Sequence, residues 1–172
     1  TKGQVITAAL VGQLAASGTA QIEVTRRLCV AVMSTGDEVV AAGNDAAHGQ
    51  IFDANRPMLK AMLQSKQIEV IDCGIVPDRL DALANAYEQA LQKADVVISS
   101  GGASDGIEDH SQQAMRQIGA SCAFWRLAMK PGRPMAVGQR EKQLVFCLPG
   151  NPVAAFVCTR LLINPVLTRL LG

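Results

Sequence analysis

The stretch VVISSGGASDGIEDH, residues 96–110, decides the fold class of this 172-residue chain. It begins as a continuous apolar run, which is typical of a strand buried on both faces, and it continues through Gly101 and Gly102 into a loop of small and acidic residues. Apolar runs and helical patterns alternate on both sides of it, as in IEVIDCG, RLDALANAYEQALQK and SQQAMRQIGA. This alternation predicts an α/β fold with a mostly parallel sheet.

The C-terminal part of the chain modifies that prediction. No helical pattern separates SCAFWRLAM, PMAVGQ and QLVFCLPG, and GQREKQ between the last two resembles a hairpin turn, so the sheet should carry an antiparallel edge. In the final segment Asn151 suits a helix cap, Pro152 suits the first helical turn and Pro165 should break or kink the helix. We expect one three-layer α/β/α domain, with residues 1–25 as a leading helix and connector and residues 26–172 as the core.

Composition limits the classes of function. A net charge of +1 with 49% apolar residues does not indicate a nucleic-acid-binding surface. Apolar runs such as VVIS and CVAVM are far shorter than the roughly 20 residues that cross a bilayer, and the first residues are not a signal peptide. We therefore expect a soluble, cytoplasmic protein without membrane contact. The five cysteines form no CxxC pair, which favours reduced core thiols over disulfides or a zinc site.

Four polar turns follow strands of the predicted sheet. In an open parallel sheet ligands bind beyond the carboxyl ends of the strands, so these turns should meet along one edge. Backbone amides at Gly101, at Gly102 and after Asn151 can hold an anion, for which phosphate is the natural candidate. The turns are STGDE (residues 34–38), GIVPD (residues 74–78), SGGASDGIED (residues 100–109) and LPGNP (residues 148–152).

Two aspartates in these turns change the expected chemistry. Carboxylates beside a phosphate repel it unless a cation lies between them, and Mg²⁺ prefers one or two carboxylates together with phosphate oxygens and water. Asp78 and Asp109 would suit such a magnesium-assisted phosphate reaction. The alternative is that each aspartate only caps the helix that follows it.

The segment KPGRP, residues 130–134, is the basic element with a stiff backbone. Its two prolines limit the backbone, while Lys130 and Arg133 present cations suited to an oxyanion. The alternative is a rigid turn with solvated charges. His48 and His110 are remote from each other and from any cysteine pair, so we interpret both as surface or capping residues.

Five motifs occur in a fixed order: STGDE, GQIFDANR, SSGGASDGIEDH, KPGRP and LPGNPVAA. In this order they resemble the catalytic domain of the MoeA and gephyrin type molybdenum insertases, also called molybdopterin molybdenumtransferases. The resemblance extends over nearly the whole chain and implies a MogA-like fold. It also implies an enzyme that takes adenylylated molybdopterin and molybdate, cleaves the adenylate with the help of Mg²⁺ and releases molybdenum cofactor.

The resemblance implies roles for individual residues. Asp78 and Asp109 match the acidic pair that is catalytic and lies near the metal, and Lys130, Gly132 and Arg133 match the molybdate and pterin phosphate side. The nucleotide-side loops correspond to Ser34, Thr35, Gly36, Asp37, Glu38, Ser100, Gly101, Gly102, Ser104, Pro149, Gly150, Asn151 and Pro152.

Three positions depart from the family pattern. Arg133 replaces a lysine and keeps its charge, Ala154 replaces a serine, and Asp105 replaces an apolar residue. An extra carboxylate in an anion-binding loop either weakens phosphate binding or adds a metal ligand, and the sequence leaves both open.

Family members carry further domains, so we expect this chain to be one excised domain of a longer cytoplasmic enzyme. The resemblance implies a homodimer for the full-length protein and allows contact with a molybdopterin adenylyltransferase. Two other functions are alternatives to the insertase. A MogA-type adenylyltransferase would use a similar acidic pair, although KPGRP and LPGNP together favour the insertase, and a gephyrin-like scaffold would bind peptides without catalysis.

Overall fold

The central sheet has six strands, four of them parallel and two forming an antiparallel edge. The computed structural model describes residues 3–103, 110–124 and 128–172. The order of the large sheet is β4-β1-β5-β8-β7-β6, which confirms the predicted sheet, while a small β2-β3 sheet adds a feature that the sequence patterns do not predict. The strands are β1 (Leu28–Thr35), β2 (Val39–Val40), β3 (Ile51–Phe52), β4 (Ile68–Val76), β5 (Val96–Ala103), β6 (Ser121–Phe124), β7 (Ala136–Arg140) and β8 (Gln143–Pro149).

Helices cover both faces of this sheet and complete the predicted three-layer α/β/α architecture. Helices α3 and α4 pack on one face, and α2, α5 and α6 pack on the other. Helix α1 contributes no buried residue. The helices are α1 (Ala8–Ala16), α2 (Asn55–Leu63), α3 (Leu80–Leu91), α4 (His110–Gln117), α5 (Pro152–Cys158) and α6 (Asn164–Leu171), with a π-helical stretch Thr159–Ile163 between the last two.

Strand β1 shows why the parallel strands are continuously apolar. Val30 and Val32 face the layer of α2, α5 and α6, whereas Ala31 and Met33 face the layer of α3 and α4. Since both faces are buried, none of these four positions accepts a solvated side chain, and all four are fully buried. The strand therefore carries no alternation of polar and apolar residues.

Of the predicted break or kink, the break does not occur, because the C-terminal helix continues through Pro165. Proline lacks an amide hydrogen, and its ring clashes with the carbonyl four residues earlier in a regular α-helix. Here five π-helical residues directly precede α6, and their wider turn accommodates the proline near its start.

The same continuous helix, Pro152–Leu171, is long and apolar enough to cross a membrane by length and composition alone. This differs from the expectation drawn from short apolar runs. However, Ala155, Cys158, Ile163 and Leu167 of this helix are buried in the core layer against the sheet. We therefore interpret it as a core helix.

The five cysteines are reduced thiols, as predicted. Cys147 and Cys158 are buried in the core, whereas Cys29, Cys73 and Cys122 are only partly buried. The assignment to the core thus holds fully for Cys147 and Cys158 and in part for Cys29 and Cys73, which pack against the layer of α3 and α4.

The strand order places a topological switch point between β1 and β5. From β1 the chain crosses to β4 on one side, and it then returns through α3 to β5 on the other side. At the carboxyl ends of these two strands Ser34 pairs with Ser100. A crevice beyond such a pair is the usual ligand site of an open α/β sheet.

Candidate functional site

Three strand ends meet at the switch point. Gly101 has φ +98°, and a Cβ on it would lie 2.1 Å from the carbonyl oxygen of Thr35. On its other side, a Cβ on Gly150 would lie 3.8 Å from the Gly101 Cα. The ends of β1, β5 and β8 are therefore in direct backbone contact, because the residue between them has no side chain. The Thr35 hydroxyl also donates to the Ser100 carbonyl oxygen at 3.5 Å.

The turn after β1 is tied to the turn after β4. The Gly36 amide donates to the Val76 carbonyl oxygen at 3.3 Å, and the Asp78 amide donates to Asp37 Oδ1 at 3.2 Å. The glutamate of the same turn, Glu38, is exposed. The structure thus brings STGDE and GIVPD together, as the sequence predicts.

Asp78 does not cap α3, so the capping alternative is wrong for this residue. The N-cap position of α3 is Arg79, and Asp78 Oδ1 accepts no hydrogen bond from any described residue although that atom is buried. The nearest donor is His110 Nδ1 at 3.5 Å, which makes its closer contact, 3.0 Å, with the backbone carbonyl oxygen of Asp78. A buried carboxylate oxygen without a partner is costly unless a ligand uses it.

His110 is therefore part of this edge rather than a surface residue alone. It is the first residue of α4, and its side chain is 37% exposed. A carbonyl oxygen can only accept, so Nδ1 carries the hydrogen that it donates to Asp78. The signal in the sequence is its position directly after Asp109 in the predicted site loop.

Asn151 caps α5 as predicted. Its Oδ1 accepts from the amides of Val153 and Ala154 at 2.9 and 3.1 Å, and Pro152 lies in the first turn. Pro149 ends β8 and is buried, whereas Gly150 is exposed beside Gly101. The LPGNP turn therefore joins the other turns at the switch point.

The basic loop lies at the same edge for a different reason. Strand β7 runs antiparallel to β8, and Ala136 at its start pairs with Cys147 near the end of β8. The loop before β7 consequently stands beside the carboxyl end of β8. Its Gly132 carbonyl oxygen accepts from Cys158 Sγ of α5 at 3.8 Å.

The two cations of this loop are available for a ligand. Lys130 and Arg133 are exposed, and neither forms an ion pair with a residue in the described part of the chain. Among the residues that the structure describes, no hydrogen bond or ion pair joins their side chains to the four turns, so the shared edge rests on the strand pairing.

Three predicted residues lie outside the described residues: Ser104, Asp105 and Asp109. Their assigned roles stay predictions. Gly102 lies within β5 directly after Gly101.

The segment FDANR supplies side chains to this edge that the sequence reasoning gave no role. Asp53 is 5% exposed, and its Oδ1 accepts from the Ser34 hydroxyl at 2.7 Å and from the Arg56 amide at 3.1 Å. Asn55 is 8% exposed and contacts the ends of both β5 and β8. The signal was an Asp-x-Asn sequence at the start of an apolar-periodic helix, a position where such residues cap or bind.

An ion-pair network fixes this segment. Arg56 Nε donates to Asp53 Oδ2 at 2.9 Å, and its Nη1 donates to the Asp72 carboxylate of β4 at 2.6 and 2.7 Å. Partial burial opposes the charged form of Arg56, but hydrogen bonds to Asp72 and Asp53 raise its pKa. Partial burial also opposes the charged form of Asp72, but hydrogen bonds from Lys60 and Arg56 lower its pKa to about 2. Both partners are thus charged at neutral pH, and α2 is anchored to the sheet.

Comparison with known proteins identifies the family to which the chain belongs. A family model described as "Probable molybdopterin binding domain" matches residues 31–169. The chain belongs to this family. The sequence is 41% identical to the molybdopterin molybdenumtransferase of Haemophilus influenzae over 92% of the chain, and 38% identical to that of Nostoc sp. over 97%. These matches confirm the resemblance carried by the five motifs.

The family members matched are longer than this chain. It spans 39% of the length of the Haemophilus and Nostoc proteins and 41% of a molybdopterin molybdenumtransferase of Staphylococcus aureus, to which it is 32% identical. Among solved structures, the molybdopterin biosynthesis MoeA protein from Pyrococcus horikoshii superposes with a TM-score of 0.84 at 32% identity, over 100% of this chain and 42% of its own. A molybdenum cofactor biosynthesis protein from Pyrococcus furiosus gives 0.67 at 26% identity, over 98% of this chain and 49% of its own.

Proposed function

We propose that this domain is the part of a molybdopterin molybdenumtransferase that binds adenylylated molybdopterin and molybdate, cleaves the adenylate and yields molybdenum cofactor. The observation that supports the proposal is the junction at the switch point, where the ends of β1, β5 and β8 touch and the turn after β1 contacts Asp78, whose buried Oδ1 accepts no hydrogen bond from the described residues. The transferase names of the relatives support the same reaction class.

The glycine junction would receive the adenylate phosphate. Gly101 and Gly150 have no side chains, so an anion can approach the backbone amides that follow β5 and β8. Ser34, Thr35 and Ser100 bring hydroxyl groups to the same strand ends, and all three are about 2% exposed. They donate to Asp53 and to the carbonyl oxygens of Ser100 and Pro149, so they would fix the strand ends whose backbone amides orient the phosphate.

The residues present fit a magnesium ion. No group of three or more potential metal-ligating side chains occurs among the described residues. Mg²⁺ needs only one or two carboxylates when a substrate phosphate supplies further oxygens. Asp78 Oδ1 is such a carboxylate oxygen, and Asp109 would be the second. When bound, the ion would neutralise charge on the phosphate group.

The exposed cations at Lys130 and Arg133 would bind molybdate and the pterin phosphate. Both anions carry several oxygens, which suit an ammonium and a guanidinium group on a stiff loop. The loop stands beside the end of β8, so the two substrates would meet along one edge of the sheet. We further propose that the longer protein works in the cytoplasm as a homodimer without nucleic-acid or membrane contact, and that it can contact a molybdopterin adenylyltransferase.

The test is a calorimetric titration of AMP with and without Mg²⁺. We expect Mg²⁺ to tighten AMP binding by the wild-type chain, and Asp78→Asn to remove most of that gain while keeping the fold. Asp81→Asn is the matched control, because Asp81 lies three residues further on and its side chain is 74% exposed. It should retain the full effect of Mg²⁺.

Two results would contradict the proposal. If Asp78→Asn keeps the whole magnesium effect, the metal assignment is wrong. If the wild-type chain binds no AMP under any condition, a scaffold role is favoured instead. A second measurement uses a longer protein that contains this domain. There, Asp78→Asn should abolish the release of molybdenum cofactor.

A further inference from the structure

The side chain of Asn55 joins the ends of two strands that are remote in the chain. Its Nδ2 donates to the Ser100 hydroxyl oxygen at 2.6 Å and to the Gly150 carbonyl oxygen at 2.8 Å. A carbonyl oxygen can only accept, so this contact fixes which end of the amide faces Gly150. Its Oδ1 accepts no hydrogen bond from the described residues, so Nδ2 makes both of these side-chain hydrogen bonds.

Ser100 extends this connection. Its hydroxyl accepts from Asn55 and donates to the Pro149 carbonyl oxygen at 3.4 Å. The amide of Asn55 and the hydroxyl of Ser100 therefore bind two consecutive carbonyl groups at the end of β8. This arrangement holds Gly150 against Gly101, which in turn touches Thr35.

We infer that Asn55 is a positioning residue that sets the spacing of the β5 and β8 turns, and thereby the directions of the backbone amides that receive the phosphate. This deepens the proposed function and rests on it. Asn55 is itself buried, so it acts through Ser100 and Gly150 rather than on the ligand. Since its two acceptors belong to β5 and to the turn after β8, losing the Nδ2 donor would leave Gly150 without its side-chain link to β5, beyond the last strand pair.

The test is Asn55→Asp, which preserves size and Oδ1 but replaces the donor with an oxygen that cannot donate to the Gly150 carbonyl oxygen and can only accept from the Ser100 hydroxyl. We expect AMP affinity to fall by about tenfold or more, because a buried carbonyl loses its donor. Backbone ¹⁵N order parameters should fall at Gly101 and Gly150 and stay unchanged in α3. Asn55→Ala is the comparison variant, because it removes the same Nδ2 donor without adding a charge. It therefore separates the loss of the donor from the effect of the charge.

The inference is overturned if Asn55→Ala leaves the AMP affinity unchanged, or if neither variant changes the order parameters at Gly101 and Gly150. If Asn55 had a purely structural role, Asn55→Asp would lower the melting temperature but would change neither the AMP affinity nor the order parameters of the folded chain. If Asn55→Asp does not fold, Asn55→Ala is measured in the same way, and failure of both to fold would make Asn55 a folding determinant and overturn the inference. If the wild-type chain binds no AMP, the proposed function fails, while the order parameters still decide whether Asn55 joins the turns.

Discussion

Replacing Gly101 with alanine tests the backbone junction on which the site is built. The added Cβ would lie 2.1 Å from the Thr35 carbonyl oxygen and 3.0 Å from its Oγ1, far inside normal contact distances. Both atoms belong to β1, which is buried on both faces, so the strand has little room to move. We therefore expect Gly101→Ala to destabilise the domain.

The magnitude has two parts. A φ of +98° is unfavourable for alanine, at a cost of about 1 kcal/mol. Forcing an extra carbon into a packed site adds about 2 kcal/mol. We expect the free energy of unfolding to fall by about 3 kcal/mol, which corresponds to a decrease in Tm of roughly 9 °C for a chain of this size.

Urea unfolding followed by circular dichroism measures this change, and Gly43→Ala separates its two parts. Gly43 has φ +94°, but no described atom lies within 4 Å of a Cβ built there. The control should therefore lose only the backbone part, about 1 kcal/mol. If Gly101→Ala costs no more than Gly43→Ala, the close approach of Thr35 does not constrain the junction and the reasoning is refuted.

Two further predictions concern charged groups. Lys130→Ala should raise the molybdate concentration needed for turnover in a longer protein far more than it weakens AMP binding, and Lys142→Ala, at another exposed lysine, is the control. Equal losses for both ligands would contradict the proposal that molybdate and AMP bind at different parts of the edge. Asp72 has a folded-state pKa of about 2, below its unfolded value of 3.8, so its stabilising effect is present above pH 3.8 and is lost as the pH falls towards 2. Allowing for solvent screening, Asp72→Asn should cost about 1 kcal/mol at pH 7 and less at pH 2.5, and an equal cost in acid and neutral urea titrations would count against the ion pair.

The sequence predicts the sheet well because both of its signals are local. Continuous apolar runs mark buried parallel strands, and the missing helix before β7 marks the antiparallel edge. The four turns could be placed at one edge for the same reason, since strand direction alone decides where a turn lies. The hydrogen bonds between Gly36 and Val76 and between Asp78 and Asp37 agree with that placement.

What the sequence did not predict depends on contacts between distant segments. Asn55 resembles an ordinary residue of a first helical turn, and its role follows only from the positions of Ser100 and Gly150. Asp78 precedes a helix, as a cap does, but its side chain is directed elsewhere. A proline usually interrupts a helix, and no local sequence pattern predicts the π-helical stretch that accommodates Pro165.

The contacts of Asn55 also govern when the site can exist during synthesis. Its partners lie 45 and 95 residues further along the chain, so the junction cannot form until β8 has left the ribosome. An unfinished chain that already contains β1, β4 and β5 could hold Gly101 against Thr35 but would lack the β8 turn that completes the junction. A ligand that needs the complete junction would therefore stabilise the finished fold over every shorter intermediate.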